Sequence, residues 1–176
     1  MRGATGELWC SPDADDPFLC AIADAHGLAM RVQPPADLGT RMRMALDSAM
    51  PERALLLGSD CPLLDAAMLV AASDALDHSR CVFIPAEDGG YALVGCHGSV
   101  PDCFAGIPWS TNAVMAHTRA RLQSLGQRWT ELPPVWDVDT VAELARLVGD
   151  VRLRHLLDGL GSRIAAGGLH PIEVNS

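Results

Sequence analysis

The run "RALLLGS" at residues 53–59 is the feature that most constrains how this chain can fold. It is continuously apolar, without alternation, which predicts a strand buried on both faces of a sheet. The run ends at Asp60, which Cys61 follows. Desolvating a carboxylate is costly unless it gains a partner, and that partner is either a backbone amide or a metal ion.

Segments that favour strands alternate with segments that favour helices along the chain. The predicted strands are 6–11, 28–33, 53–59, 81–85, 90–96 and 128–132, and the predicted helices are 16–27, 37–50, 66–77, 110–126, 140–148 and 151–160. Such alternation predicts right-handed crossovers and a three-layer α/β/α sandwich with a mainly parallel sheet. We expect one domain over residues 1–160 and a C-terminal tail over 161–176. In such a sheet ligands bind at the carboxyl ends of the strands, where Asp60 lies.

Composition narrows the classes of protein that this chain can belong to. The 176 residues are 49% hydrophobic, carry a net charge of -9 and include no lysine. This balance argues against binding to nucleic acid or to an anionic membrane. The six cysteines form no CxxC pair, which favours buried free thiols over a zinc site. No apolar leader or 18-residue apolar stretch is present, so we expect a cytoplasmic protein.

Four motifs carry a family resemblance: "LLLGSDCPLL", "PAEDGGYALVG", "FAGIPWST" and "WDVDTVAELARL". In their order and spacing the chain resembles a glycosyltransferase-like family of the GT-A nucleotide-diphospho-sugar transferase superfamily, some members of which are linked with arsenosugar biosynthesis. The resemblance covers about residues 6–148. It implies a GT-A fold and a metal-dependent transferase that acts on a nucleotide-activated sugar.

The resemblance also implies a site for a divalent cation, Mg²⁺ or Mn²⁺. In the superfamily an aspartate at the end of the central strand binds the cation, and a second ligand lies late in the chain. Here the matching residues are Asp60, with Asp137 and Asp139 of "WDVDT". A hard, oxygen-ligated cation would neutralise the charge of a diphosphate. In the alternative interpretation Asp139 only caps the helix that follows it.

A segment before the central strand is similar to the base-binding segment of sugar-nucleotide pyrophosphorylases, in which a glutamine is followed by Leu-Gly-Thr. The nucleotide-binding residues that this parallel and the central strand imply are Gln33, Gly39, Thr40, Arg41, Ser59 and Asp60. The alternative is that Asp37 caps a helix whose solvated face carries Arg41.

The motif "AEDGGYALVG" supplies the candidates for acid–base chemistry. Glu87 or Asp88 could bind acceptor hydroxyls or act as a general base. The implied substrate-binding residues are Gly89, Gly90, Tyr91, Trp109, Ser110 and Thr111. The alternatives are a plain hairpin turn for "EDGG" and a core position for Trp109.

One departure from the family pattern concerns the N-terminus. Family members begin with an additional strand and a phosphate-binding loop of Lys-Thr-Arg type, for which "MRGATG" is too short. We therefore expect an N-terminally shortened chain, with an open strand edge that a homodimer could cover. A nucleotidyltransferase and a degenerate, non-catalytic binding domain remain the alternative functions.

Overall fold

The described part of the chain contains six strands and four helices that largely alternate, which confirms the α/β class. The computed structural model describes residues 4–139 and, beyond them, Glu143, Arg146, Leu147, Gly149, Asp150 and Leu153. The elements are β1 (Glu7–Cys10), α1 (Pro17–His26), β2 (Ala29–Val32), α2 (Leu38–Asp47), β3 (Ala54–Leu57), α3 (Ala66–Ala75), β4 (Cys81–Pro85), β5 (Tyr91–Cys96), α4 (Val114–Ser124) and β6 (Trp129–Glu131). Apart from those six residues, the helices predicted at 140–148 and 151–160 and the tail 161–176 lie outside the described residues.

Aspartates begin the first three helices, as their sequences predict. The carboxylate of Asp16 accepts hydrogen bonds from two backbone amides of α1. Asp37 and Asp65 cap α2 and α3 in the same way. Each cap satisfies a donor that the helix itself leaves free and contributes about 1 kcal/mol. Gly27 ends α1 in the left-handed conformation, with φ of 63°.

Helix α4 begins later than its sequence predicts. We expected its first turn at Ser110 or Thr111, but the helix starts at Val114 and Ala113 provides no side-chain cap. The backbone of Ser110 has a left-handed φ of 60°, which is incompatible with a helical turn. Residues 110–113 therefore form an ordered loop in front of α4.

The sheet is mixed, so the prediction of a mainly parallel sheet is wrong. Strands β1 and β2 form a parallel pair, and the other four lie in the order β3-β5-β4-β6. Strand β5 runs antiparallel to both of its neighbours, whereas β4 and β6 are parallel. The reason is the short turn after β4, in which the amide of Ala86 donates to the carbonyl of Gly90 at 3.1 Å. A turn this short forms a hairpin, because a parallel crossover needs a dozen residues or more.

Strand β3 is covered on both faces, as its sequence predicts, but its residues are only half-buried. Leu56 packs against a hydrophobic core on one face, and Leu55 packs against another core on the opposite face. Within the described residues β3 pairs with β5 on one side alone. Its last residue, Leu57, is 42% exposed, because no described strand covers the other edge.

Strands β4 and β5 separate two hydrophobic cores. Alternate residues of β4 point to opposite faces, as the two-residue period of a strand requires. Cys81 and Phe83 lie in a core that α2 and α4 cover. Val82 and Ile84 lie in a second core that α3 covers. All six cysteines are free, and among the described helices none is long and apolar enough to cross a membrane.

The packing around Gly95 provides a test of this arrangement. A Cβ at this position of β5 would lie 2.6 Å from Leu55 and 2.7 Å from Val82. We expect Gly95→Ala to lower the free energy of unfolding by about 1–3 kcal/mol, because neither neighbour can retreat without disturbing its own core. Gly149→Ala is the matched control, since nothing lies within 4 Å of its Cβ position. Equal stability of the two variants in urea denaturation would contradict the described packing.

Candidate functional site

A cleft of about 620 Å³ opens where β3, β4 and β6 end and β5 begins. Its walls come from β1, α2, the end of β3, the β4–β5 hairpin and the loop before α4. This is the edge of the sheet at which ligands bind in open α/β folds. The candidate site is therefore this cleft.

Four carboxylates face the cleft. Ligand atoms of Asp88, Asp137 and Asp139 lie within 4.8 Å of one another, and Asp60 lines the same cavity. Asp137 is buried, at 8% exposure, whereas the other three are exposed. The fold brings these residues together from three separate segments of the chain, which carry Asp60, Asp88, and the pair Asp137 and Asp139.

Backbone hydrogen bonds hold the segments that carry these carboxylates. The amide of Val138 donates to the carbonyl of Asp60 at 2.9 Å. The amide of Glu87 donates to the carbonyl of Val135 at 2.9 Å, and the amide of Val135 donates to the carbonyl of Pro85 at 3.0 Å. The segment after β6 is thus fastened both to the end of β3 and to the β4–β5 hairpin.

Within the described residues no side chain balances the charges of this cluster. Burial raises the pKa of the Asp137 carboxyl, and the carboxylates of Asp88, Asp139 and Asp60 raise it further. Burial also raises the pKa of Asp139, to which the carboxylates of Asp60, Asp88 and Glu143 add. Within the described residues no arginine or histidine forms an ion pair with any of the four carboxylates. Such a cluster favours a bound cation and repels an anion that arrives alone.

Cys61 lines the cleft beside the carboxylates but is not a candidate nucleophile. Its Sγ donates to Oδ1 of Asp60 at 3.3 Å. Burial and the neighbouring carboxylates raise the pKa of the Cys61 thiol far above its usual value. The thiol is therefore protonated and acts as a donor to Asp60, because nucleophilic cysteines need a lowered pKa.

The same cleft also has an aromatic wall. Trp9 and Trp109 both line the cleft. A Cβ at Gly39 would lie 2.6 Å from the Trp109 ring, so this glycine lets α2 pack directly against the indole. The side-chain amide Nε2 of Gln33 donates to the carbonyl of Trp9 at 2.8 Å. Gly39 and Gln33 thus support the two tryptophans.

The hairpin tip is closely packed against the loop before α4. Gly89 has a φ of 96°, and a Cβ there would lie 2.0 Å from the carbonyl oxygen of Asn112. The amide of Met115 donates to the Gly89 carbonyl at 2.8 Å. Only glycine can adopt this conformation at this distance.

Glu87 forms an ion pair with Arg146, which follows β6 in the chain. Both guanidinium nitrogens of Arg146 bind its carboxylate, at 2.8 and 3.3 Å. The pair lowers the pKa of Glu87, and the same guanidinium lies 4.7 Å from the centroid of the Trp136 ring. Arg146 therefore links Glu87 to Trp136, the residues that directly precede Asp88 and Asp137 in the chain.

Most of the residues predicted from the sequence line the cleft. These are Gln33, Arg41, Asp60, Asp88, Gly90, Tyr91, Trp109, Ser110, Thr111, Asp137 and Asp139. Five others do not belong to its lining: Gly39, Thr40, Ser59, Glu87 and Gly89. Within the described residues the buried Tyr91 hydroxyl has no hydrogen-bond partner, and burial raises its pKa.

The cleft lining that sequence reasoning missed is mostly apolar, but it includes two residues with larger polar or aromatic side chains, Trp9 and Asn112. Trp9 could have been found, because it lies near the carboxyl end of a predicted strand. Asn112 carries no comparable signal, since its position depends on where α4 begins.

Comparison with known proteins gives a family and a similar solved structure. The model of the family described as "Uncharacterized protein conserved in bacteria (DUF2064)" matches residues 1–111. The crystal structure of a "putative nucleotide-diphospho-sugar transferase" from Desulfovibrio desulfuricans G20 is 31% identical, with a TM-score of 0.69. The similarity covers 78% of this chain and 62% of that one, so the chain spans less than two thirds of its length. No curated protein matches the chain.

The repulsion within the acidic cluster leads to a prediction for the metal-free protein. We expect Asp137→Asn to raise the free energy of unfolding at neutral pH by on the order of 1 kcal/mol, because it removes a buried charge that three carboxylates oppose. A raised folded-state pKa means that this cost is absent below the ordinary pKa of 3.8 and grows as the pH rises through the raised value. The gain should therefore shrink as the pH falls from about 7 to about 4.

The measurement is urea denaturation in EDTA across this pH range. Asp74→Asn is the matched control, because Asp74 lies exposed on α3 and does not line the cleft. A loss of stability in Asp137→Asn, or an equal gain in both variants, would contradict the described electrostatics.

Proposed function

The chain belongs to the family described as "Uncharacterized protein conserved in bacteria (DUF2064)", and we propose that it is a metal-dependent transferase acting on a nucleotide-activated sugar. The observation that carries this proposal is the cluster of four carboxylates, without cationic partners among the described residues, beside an aromatic wall. The similarity to a solved protein named as a nucleotide-diphospho-sugar transferase supports it.

The donor set suits a divalent cation. Carboxylate oxygens are the ligands that Mg²⁺ and Mn²⁺ prefer. The group formed by Asp88, Asp137 and Asp139 offers carboxylates only, without a thiolate or an imidazole. Asp137, Asp139 and Asp60 would hold the ion, with Asp88 beside them. A bound cation would relieve the repulsion that raises the pKa of Asp137 and Asp139. When bound, it would neutralise charge on the diphosphate leaving group.

The remaining cleft residues suit a nucleotide. A diphosphate could not enter a cavity with four carboxylates unless a cation accompanied it. The Trp109 and Trp9 rings offer flat apolar surfaces on which a base or a sugar could stack. Arg41 is the arginine of the cleft lining, and its Nε is already bound to the Ala36 carbonyl at 2.6 Å, which orients the guanidinium.

Asp88 is the better candidate for a general base. It lines the cleft, and its Oδ1 accepts a hydrogen bond from the amide of Gly90 at 2.7 Å, which fixes its orientation. Glu87 is paired with Arg146, which keeps it ionised and occupied. A base must be able to approach the attacking hydroxyl, and this favours Asp88 over Glu87.

Isothermal calorimetry tests the metal and nucleotide sites together. We expect Mn²⁺ to bind the full chain, and UDP- or GDP-sugars to bind only when Mn²⁺ is present. Asp60→Asn and Asp139→Asn should each weaken Mn²⁺ binding by at least about tenfold, because each removes a charged ligand. Asp74→Asn is again the control. Absence of Mn²⁺ binding, or equal binding by all variants, would exclude the proposed metal site.

A pyrophosphate assay separates this proposal from the nucleotidyltransferase alternative. The transferase should release a nucleoside diphosphate from a nucleotide sugar, and it should not release pyrophosphate from a nucleoside triphosphate and a sugar phosphate. Binding of Mn²⁺ and nucleotide without any turnover would favour the non-catalytic alternative.

Arg146 should influence the metal site although it does not line the cleft. We expect Arg146→Ala to weaken Mn²⁺ binding by up to about tenfold, because the guanidinium links the hairpin to Trp136, next to Asp137. Arg119→Ala is the matched control, since Arg119 forms a similar bidentate pair with Glu131. Both variants should unfold at nearly the same urea concentration as the parent chain, because exposed ion pairs contribute little to stability. Equal Mn²⁺ affinity of the two variants would exclude this positioning role.

A further inference from the structure

Three basic side chains lie in a row across the end of the sheet opposite to the cleft. Arg80 precedes β4, Arg128 precedes β6, and His97 follows β5. The amide of Arg80 donates to the carbonyl of Arg128 at 3.3 Å, and the amide of His97 donates to the carbonyl of Arg80 at 3.2 Å. These three positions extend the register that pairs Cys81 with both Trp129 and Cys96. Neighbours in register share a face of the sheet, so the three side chains leave the same face.

This row borders a depression of about 480 Å³. His78, which follows the C-terminal end of α3, also lines it. We name this surface the basic depression and define it by His78, Arg80, His97 and Arg128. All four residues are exposed. The depression therefore collects two permanent positive charges and two imidazoles in a chain whose net charge is -9.

Neither arginine of the basic depression is neutralised within the described part of the chain. Arg80 donates to the Ser99 hydroxyl at 2.8 Å, which is a neutral partner. Arg128 forms no ion pair with a described carboxylate, whereas most other described arginines do. Like charges directly opposite on neighbouring strands destabilise a sheet. This arrangement would gain stability from a counter-charge.

The negative groups nearby are already occupied. Asp77 lines the depression, but its carboxylate is bound by Arg53. The helix end next to it is also satisfied, because Arg53 donates to the carbonyl of Ser73 at 2.9 Å and the amide of His78 donates to Ala75 at 3.2 Å. The positive charges of Arg80 and Arg128 are therefore not needed to neutralise the end of α3.

We propose that the basic depression binds the phosphate group of a small molecule, separately from the acidic cleft. The planar guanidinium groups of Arg80 and Arg128 both suit a phosphate, because each can donate two parallel hydrogen bonds to the phosphate oxygens. The imidazoles of His78 and His97 would add donors. The lining is mostly polar, so the recognised part of the ligand is the phosphate and not a base.

Inorganic phosphate, titrated into the full chain in EDTA, tests this site directly. The imidazole signals of His78 and His97 should shift in NMR spectra, whereas those of His26 and His117, which do not line the depression, should not. Arg80→Gln and Arg128→Gln should each weaken binding by on the order of tenfold. Arg128→Lys should retain part of the affinity, because it keeps the charge but loses the planar fork.

Thermal unfolding separates a binding site from a structural cluster. Without phosphate, Arg128→Gln should melt at the same temperature as the parent chain or higher, because a like-charge contact is removed. With phosphate, the parent chain should gain stability and the variant should not. Arg31→Gln is the control for loss of one positive charge, since Arg31 pairs with Glu7 at a distant strand.

Three results would overturn the proposal. They are equal phosphate shifts at all four histidines, equal weakening by Arg31→Gln, and a loss of stability in phosphate-free Arg128→Gln. Parallel titrations with a sugar phosphate and a nucleoside monophosphate identify the source, because tighter binding than inorganic phosphate shows which attached group is accepted. None of these measurements depends on the acidic cleft or on a metal ion.

Discussion

The backbone hydrogen bond from the Val138 amide to the Asp60 carbonyl, 2.9 Å long, joins the two segments on which the acidic cleft depends. Two further backbone bonds, between Val135 and the strand end at Pro85 and Glu87, fasten the same segment to the hairpin. Backbone bonds of this kind are costly to leave unmade once buried. They hold the carboxylates together despite their mutual repulsion, so the cluster exists before any ligand arrives.

Local signals made much of the fold predictable. The predicted helix starts at 16, 37 and 66 lie within one residue of the observed ones, because a capping carboxylate acts on amides only two or three residues away. The direction of the strands and the extent of their burial were harder to predict, since both depend on which strands become neighbours. The apolar run at 53–59 could not reveal that β3 pairs with β5 alone within the described residues. The short turn after β4 indicates that β5 runs antiparallel to β4. The alternation of strands and helices along the chain favoured a parallel sheet instead.

The candidate site was predictable to a similar degree and for the same reason. Residues at strand ends, such as Asp60 and Asp88, lie at the same edge of the sheet whatever the details of the fold. Pairings across the sheet could not be foreseen. Arg80 lies beside Arg128 only because the register of β4 and β6 places them there, and Arg146 contacts Glu87 because the chain after β6 returns to the hairpin. Within the described residues the outcome is a separation of charge, with carboxylates at one end of the strands and arginines that form no ion pair at the other.

The close contact between Gly89 and Asn112 has a mechanical consequence. The hairpin tip that carries Asp88 rests on the loop that carries Trp109 and Ser110, with no side chain between them. The two cannot approach each other further, and they cannot separate without losing the bond from the Met115 amide to the Gly89 carbonyl. The hairpin tip and this loop therefore form one unit. Any widening of the cleft to admit a bulky ligand must come from other parts of its lining, such as Trp9 of β1.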